Sequence, residues 1–86
     1  MTDIELAERF LAAHEGTFHW YQQGRASEWQ VHFKGPITKV TRSYTDHEVQ
    51  ARIMTWYRES FPRVPVDLRL IKRINQALKV VTAVAQ

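Results

Sequence analysis

"FHWYQQGRASEWQVHFKG", residues 18–35, decides how the rest of the chain must be arranged. Apolar side chains recur at every second position on either side of its centre. Phe18 and Trp20 alternate with His19 and Tyr21, and Trp29, Val31 and Phe33 alternate with Gln30, His32 and Lys34. A period of two belongs to a half-buried strand. With Gly24-Arg25-Ala26-Ser27 as the loop, the strands pair so that Phe18 faces Phe33, Trp20 faces Val31 and His19 faces His32. That register gathers the apolar pairs on one side of a sheet, whereas a slip of one residue would turn each strand over. The stretch therefore predicts two surfaces, an apolar one that must be covered and a polar, partly aromatic one.

Downstream, Gly35-Pro36 marks a turn, and "ITKVTRSY", residues 37–44, is rich enough in β-branched side chains to form a third strand. Upstream, Thr2 and Glu5 have the spacing of a capping box, and Ile4, Ala7, Phe10, Leu11 and His14 recur at helical spacing, with Gly16 as a left-handed stop. A helix over about residues 3–14 follows. Thr45 with Glu48 repeats the capping box, Tyr44 and Val49 stand where a hydrophobic staple would place them, and Val49, Ile53, Trp56 and Tyr57 form the buried stripe. Phe61 closes that helix, and Pro62 and Pro65 prevent its continuation. A last helix runs from near Asp67 to about Val84. The order α-β-β-β-α-α predicts the α+β class, a three-stranded antiparallel sheet with helices packed on one face.

At 86 residues the chain has room for one core, so a single domain is expected over residues 1–86. The absence of cysteine excludes a disulfide framework and a thiolate metal site, and points to a reducing compartment. The opening residues are acidic and amphipathic where an export signal is basic and then apolar, and no apolar run is long enough to span a bilayer. A cytoplasmic protein without a membrane role is the expectation. The net charge of +3 is unevenly spread, because residues 1–15 carry −3 and leave +6 for the remainder, with no acid after Asp67. Such an asymmetry suits an anionic partner.

Three surfaces are candidates. On the last helix Leu70, Ile71, Ile74, Ala77, Leu78 and Val81 share one side, while Arg69, Lys72, Arg73, Gln76 and Lys79 gather opposite. A row of cations without interleaved acids can follow a phosphate backbone. The polar side of the sheet offers His19, Tyr21, Gln30, His32 and Lys34, joined by Lys39 and Thr41, with donors and flat rings that suit phosphates and unstacked bases. Arg25, at the hairpin tip, is a loop contact. His19 and His32 alone fall short of the three or four ligands zinc takes, and His14 and His47 read as helix-end residues, so no metal or other cofactor is expected. No phosphate-cradling glycine loop and no nucleophile context is present, and the expectation is a protein that is not an enzyme, with no catalytic residues.

"LAERFLAAHEGTFHWY", "EWQVHFKG" and "VDLRLIKRINQAL" together resemble the small domain that precedes the helicase module of phage and plasmid primase-helicases. The three strands followed by "RSYTDHEVQARIMTWYRE" are similar in order and spacing to the arm-type DNA-binding domain of tyrosine recombinases. A double-stranded-RNA-binding domain shares the α-β-β-β-α order, but Thr45-Asp46-His47-Glu48 is acidic where that domain is basic. The resemblance implies a nucleic-acid-binding module, DNA foremost, from a phage, plasmid or other mobile element; no nucleotide-binding loop or acidic polymerase cluster accompanies it. Two other expectations stand beside this one. One is an inhibitor or adaptor that binds a host protein complex, such as a defence complex, and the other is a homodimer through Trp20, Trp56 or Tyr57.

Overall fold

The computed structural model describes residues 1–35 and 39–84, with the backbone alone for Gln23 and Val84. Its elements are α1 (Asp3–Ala13), β1 (Thr17–Gln23), β2 (Ala26–Lys34), β3 (Lys39–Tyr44), α2 (Asp46–Ser60) and α3 (Leu68–Val84). The fold is α+β, with a three-stranded antiparallel sheet in the order β1-β2-β3. Both capping boxes form: the Thr2 and Thr45 hydroxyls accept from the amides of Glu5 and Glu48, whose carboxylates accept from the two cap amides in return. At the far end of α2, the Phe61 amide donates to the Tyr57 carbonyl at 2.8 Å. Asp67 starts α3 by accepting from the Arg69 amide at 2.9 Å.

The hairpin departs from the sequence expectation in register. Phe18 pairs with Val31, Trp20 with Trp29 and His19 with Gln30, while His32 stands opposite Thr17. Only Gly24 and Arg25 lie between the strands, and Ala26 and Ser27 belong to β2. Gly24 has φ +57, the positive value that a two-residue hairpin with glycine at its first position requires. The tighter turn lengthens the ladder, and because the slip is of two residues every side chain keeps its expected face. In the third strand, residues 37–38 and the predicted turn residue Pro36 lie outside the described residues.

All three helices lie on the apolar side of the sheet and enclose one core. Phe10, Phe18, Trp29 and Trp56 meet edge to face, with ring centroids 5.7–6.2 Å apart, and so link α1, β1, β2 and α2. Ile71, Ile74 and Leu78 bring α3 into the same core. The α1 stripe is corrected in its first turn, where Leu6 is buried and Ile4 is 48% exposed. α1 packs mainly against α3, so the side defined by Leu6, Ala7 and Phe10 turns inward and Ile4 sits at its rim. Trp56 and Tyr57 are buried in the core, and Trp20 packs against it. Most of the apolar area of these residues is thus covered within one chain, which leaves little of it for the dimer interface expected from the sequence.

Candidate functional site

Cross-strand pairing sorts the polar side chains into rows on the uncovered face of the sheet. Tyr21 stands beside Glu28, His19 beside Gln30 and then Ser43, Thr17 beside His32 and then Thr41, and Lys34 beside Lys39. The expected members His19, Tyr21, Gln30, His32, Lys34, Lys39 and Thr41 are thus brought together, while Thr17, Glu28 and Ser43 were not anticipated. Glu28 and Lys34 are six residues apart on β2, about 20 Å along the strand, so the face is acidic near the hairpin and basic at its other end.

At the basic end Lys34 and Lys39 are exposed and directly opposed. Like charges so placed repel across a strand pair. Among the described residues no carboxylate lies within ion-pair distance of either. With Thr17, His19, His32 and Thr41 they line a depression of about 410 Å³, and Glu15 borders a neighbouring one beside Lys34. The two histidine rings are diagonal neighbours instead of opposed, with centroids 5.1 Å apart. His32 Nδ1 shares a hydrogen bond with the Thr41 hydroxyl at 2.8 Å, whereas His19 Nδ1 is buried and has no partner among the described residues. Tyr21, 42% exposed, continues the aromatic surface toward the hairpin, where Arg25 is exposed at the tip. Among the described residues no group of three or more His, Cys, Asp or Glu is gathered as a metal ion would require.

The basic row on α3 is only partly available. Arg69, Lys72 and Arg73 are exposed, but Arg73 Nε lies 3.6 Å from the Asp3 carboxylate of α1. Lys79 does not join them and is corrected: its side chain is 17% exposed, its ammonium donates to Asp46 Oδ2 at 3.2 Å, and it sits 4.1 Å from the centre of the Trp20 ring. The reason is its place along α3. Lys79 lies about two turns beyond Lys72 on nearly the same side of the helix, but there the start of α2 and the Trp20 ring of β1 reach it and cover it. Since α3 lies on the covered side of the sheet, its cations and the open face point in opposite directions.

Asp46, which the sequence reading passed over, is the most densely bonded polar group. Its Oδ1 accepts from Trp29 Nε1 at 3.0 Å and from Asn75 Nδ2 at 2.9 Å, and its Oδ2 accepts from Lys79 and from Gln50 at 3.4 Å. Burial pushes its carboxyl up, but the bonds from Asn75, Trp29 and Lys79 and the nearby ammonium outweigh that and hold it below its ordinary value of 3.8. One signal for this cluster was legible, an asparagine inside the apolar stripe of α3; its partner lies 29 residues away in sequence.

A cleft of about 690 Å³ between α1 and α2 holds His14, Glu48, Arg52, Trp56 and Glu59. His14 donates through Nδ1 to the Phe10 carbonyl at 2.8 Å, Glu48 is held in its capping box, and Arg52 lies 4.4 Å over the Tyr44 ring. These groups close helix ends and pack the surface, and no nucleophile is paired with a base there. Among the described residues no helix is long and apolar enough to cross a membrane. Comparison of the chain with protein-family models, with curated proteins and with solved structures found no match.

Proposed function

We propose that this chain is a non-enzymatic module that binds nucleic acid, DNA foremost, through the open face of its sheet. The observation that carries the reading is the directly opposed, unneutralised pair Lys34 and Lys39 beside two histidine rings, on a face that no helix covers. A phosphate between the two ammonium groups would turn a repulsion into an attraction, with Thr17 and Thr41 hydroxyls within the same depression. Tyr21 and the imidazoles offer rings on which unpaired bases stack. Of the α3 residues, Arg69 and Lys72 are left as a weaker, separate cationic patch. Cysteine-free composition suits work inside the cell, and a setting in a phage, plasmid or other mobile element rests on the resemblances described above.

The test is titration of labelled single-stranded and duplex DNA across a salt series, for the wild-type chain, a Lys34→Thr/Lys39→Thr variant and an Arg69→Gln/Lys72→Gln variant. Affinity should fall with salt, and removing the sheet lysines should lower the slope of log K on log salt by about 1.4 on single strands or about 1.8 on duplex. The α3 variant should change binding far less. No binding at low salt, or loss confined to the α3 variant, sinks the assignment.

A second reading, an inhibitor or adaptor that binds a host protein complex, draws on a different place. Between α1 and α3, Ile4, Ala77 and Val80 form an apolar floor beside Lys72 and Arg73, a combination that suits an acidic protein surface. It predicts the opposite pattern, with no affinity for DNA and sensitivity of the partner complex to Lys72→Glu/Arg73→Glu.

A further inference from the structure

The outer edge of β3 is open. β3 is a terminal strand of the sheet, residues 39–43 are all exposed, and the helices pack on β1 and β2. Val40 points to the helix side of the sheet, opposite Phe33, yet is 44% exposed because no helix reaches over it. Among the described residues no turn or side-chain hydrogen bond reaches the backbone of residues 39–43. Every second amide and carbonyl of such a strand is turned outward, and its sequence KVTRSY contains neither proline nor glycine to blunt it.

We propose that β3 pairs antiparallel with β3 of a second copy of this chain, about a twofold axis at Thr41, joining two sheets into one of six strands. The register follows from the faces and from the length of the ladder, since an axis at Val40 or Ser43 would pair only three residues of Lys39–Tyr44. Lys39, Thr41 and Ser43 share the open face, and Val40, Arg42 and Tyr44 the helix side. Directly opposed residues must share a face, so a twofold axis has to pass through a residue and not between two. An axis at Arg42 sets two guanidinium groups against each other, which is unfavourable. An axis at Thr41 opposes Thr41 to its own copy, Val40 to Arg42 and Lys39 to Ser43, and no like charges meet in its five residue pairs.

The neighbouring Arg42 stem then covers the exposed Val40, and two threonines meet at the axis, a favourable cross-strand pair. So short a ladder buries much less than the roughly 1,200 Å² of a stable interface, so the dimer is weak and forms with rising concentration. The pairing is made by the backbone edge of β3 and does not rest on the nucleic-acid reading, although Lys39 and Thr41 belong to both surfaces.

Because the chain contains no cysteine, one introduced thiol reports the register cleanly. Opposed Cα atoms in an antiparallel ladder are about 4.5–5.5 Å apart, within disulfide reach. Thr41→Cys should therefore cross-link to a covalent dimer on mild oxidation. Ser43→Cys, on the same face of the same strand, should stay monomeric, because its own copy lies about 13 Å along the ladder. Sedimentation of cysteine-free variants gives a second readout. Val40→Glu, placed opposite Arg42, should lower the concentration of half-dimerisation about threefold to tenfold, and Val40→Lys should raise it. Cross-linking equal at both positions or absent at both, or a midpoint indifferent to the sign of residue 40, overturns the proposal.

Discussion

Asp46 joins three elements through one carboxylate, at the first turn of α2, where the helix dipole also favours a negative charge. Asp46→Ala would leave the Trp29 and Asn75 donors and the Lys79 ammonium without their acceptor, and should cost about 2–3 kcal/mol in urea unfolding. The same group sets an acid limb. Folding lowers its pKa, so its contribution is complete above the ordinary value near 3.8 and is lost as pH falls through the lower folded value. Unfolding free energies measured between pH 2 and 7 should show that loss in the wild type and a shallower fall in Asp46→Asn. Gly16 illustrates another residue-level constraint. It has φ +98, and a Cβ there would lie 2.7 Å from Val31 Cγ1 and 3.2 Å from the His32 carbonyl. Gly16→Ala should destabilise by about 2–3 kcal/mol, whereas Gly24→Ala, at φ +57 but with open space around it, should cost about 1 kcal/mol, both read from denaturant midpoints.

Within the sheet, stability and the proposed binding pull in opposite directions at the Lys34–Lys39 pair. Lys39→Thr removes a like-charge opposition and restores a good strand former, so thermal unfolding should show a gain of about 0.2–1 kcal/mol while DNA affinity declines. A merely solvated face gives no such exchange. The elements themselves were legible because each carries a local signature: two capping boxes, strict alternation in β1 and β2, and a proline-bounded gap before α3. Membership of the open face was legible for the same reason, since strand parity alone fixes it. The pairing register was not, because the alternation is equally satisfied by pairings two residues apart, and only the glycine-first turn at Gly24-Arg25 separates them. The fate of Lys79 was hidden as well: its position on the helix wheel was readable, but the carboxylate awaiting it comes from 33 residues earlier.

For the molecule as a whole, α3 is the element that unites the rest, packing on α1, α2 and β1 and closing the core with Ile71, Ile74 and Leu78. Ending the chain after Ala77 would remove Leu78, Lys79 and the buried Thr82 together, and should abolish cooperative unfolding and reduce ellipticity well beyond the share of the missing residues. Opposite placement of the α3 cations and the open sheet face divides the molecule into two independent exteriors, a division invisible until the helices are laid on one side. The capture of Lys79 also has a chemical consequence. Of the four lysines, this one packs its amine against Asp46 and the Trp20 indole, while Lys34, Lys39 and Lys72 stand in solvent. Amine-acylating reagents should label those three quickly and Lys79 last, making the extent of its labelling a residue-specific gauge of whether the native packing is intact.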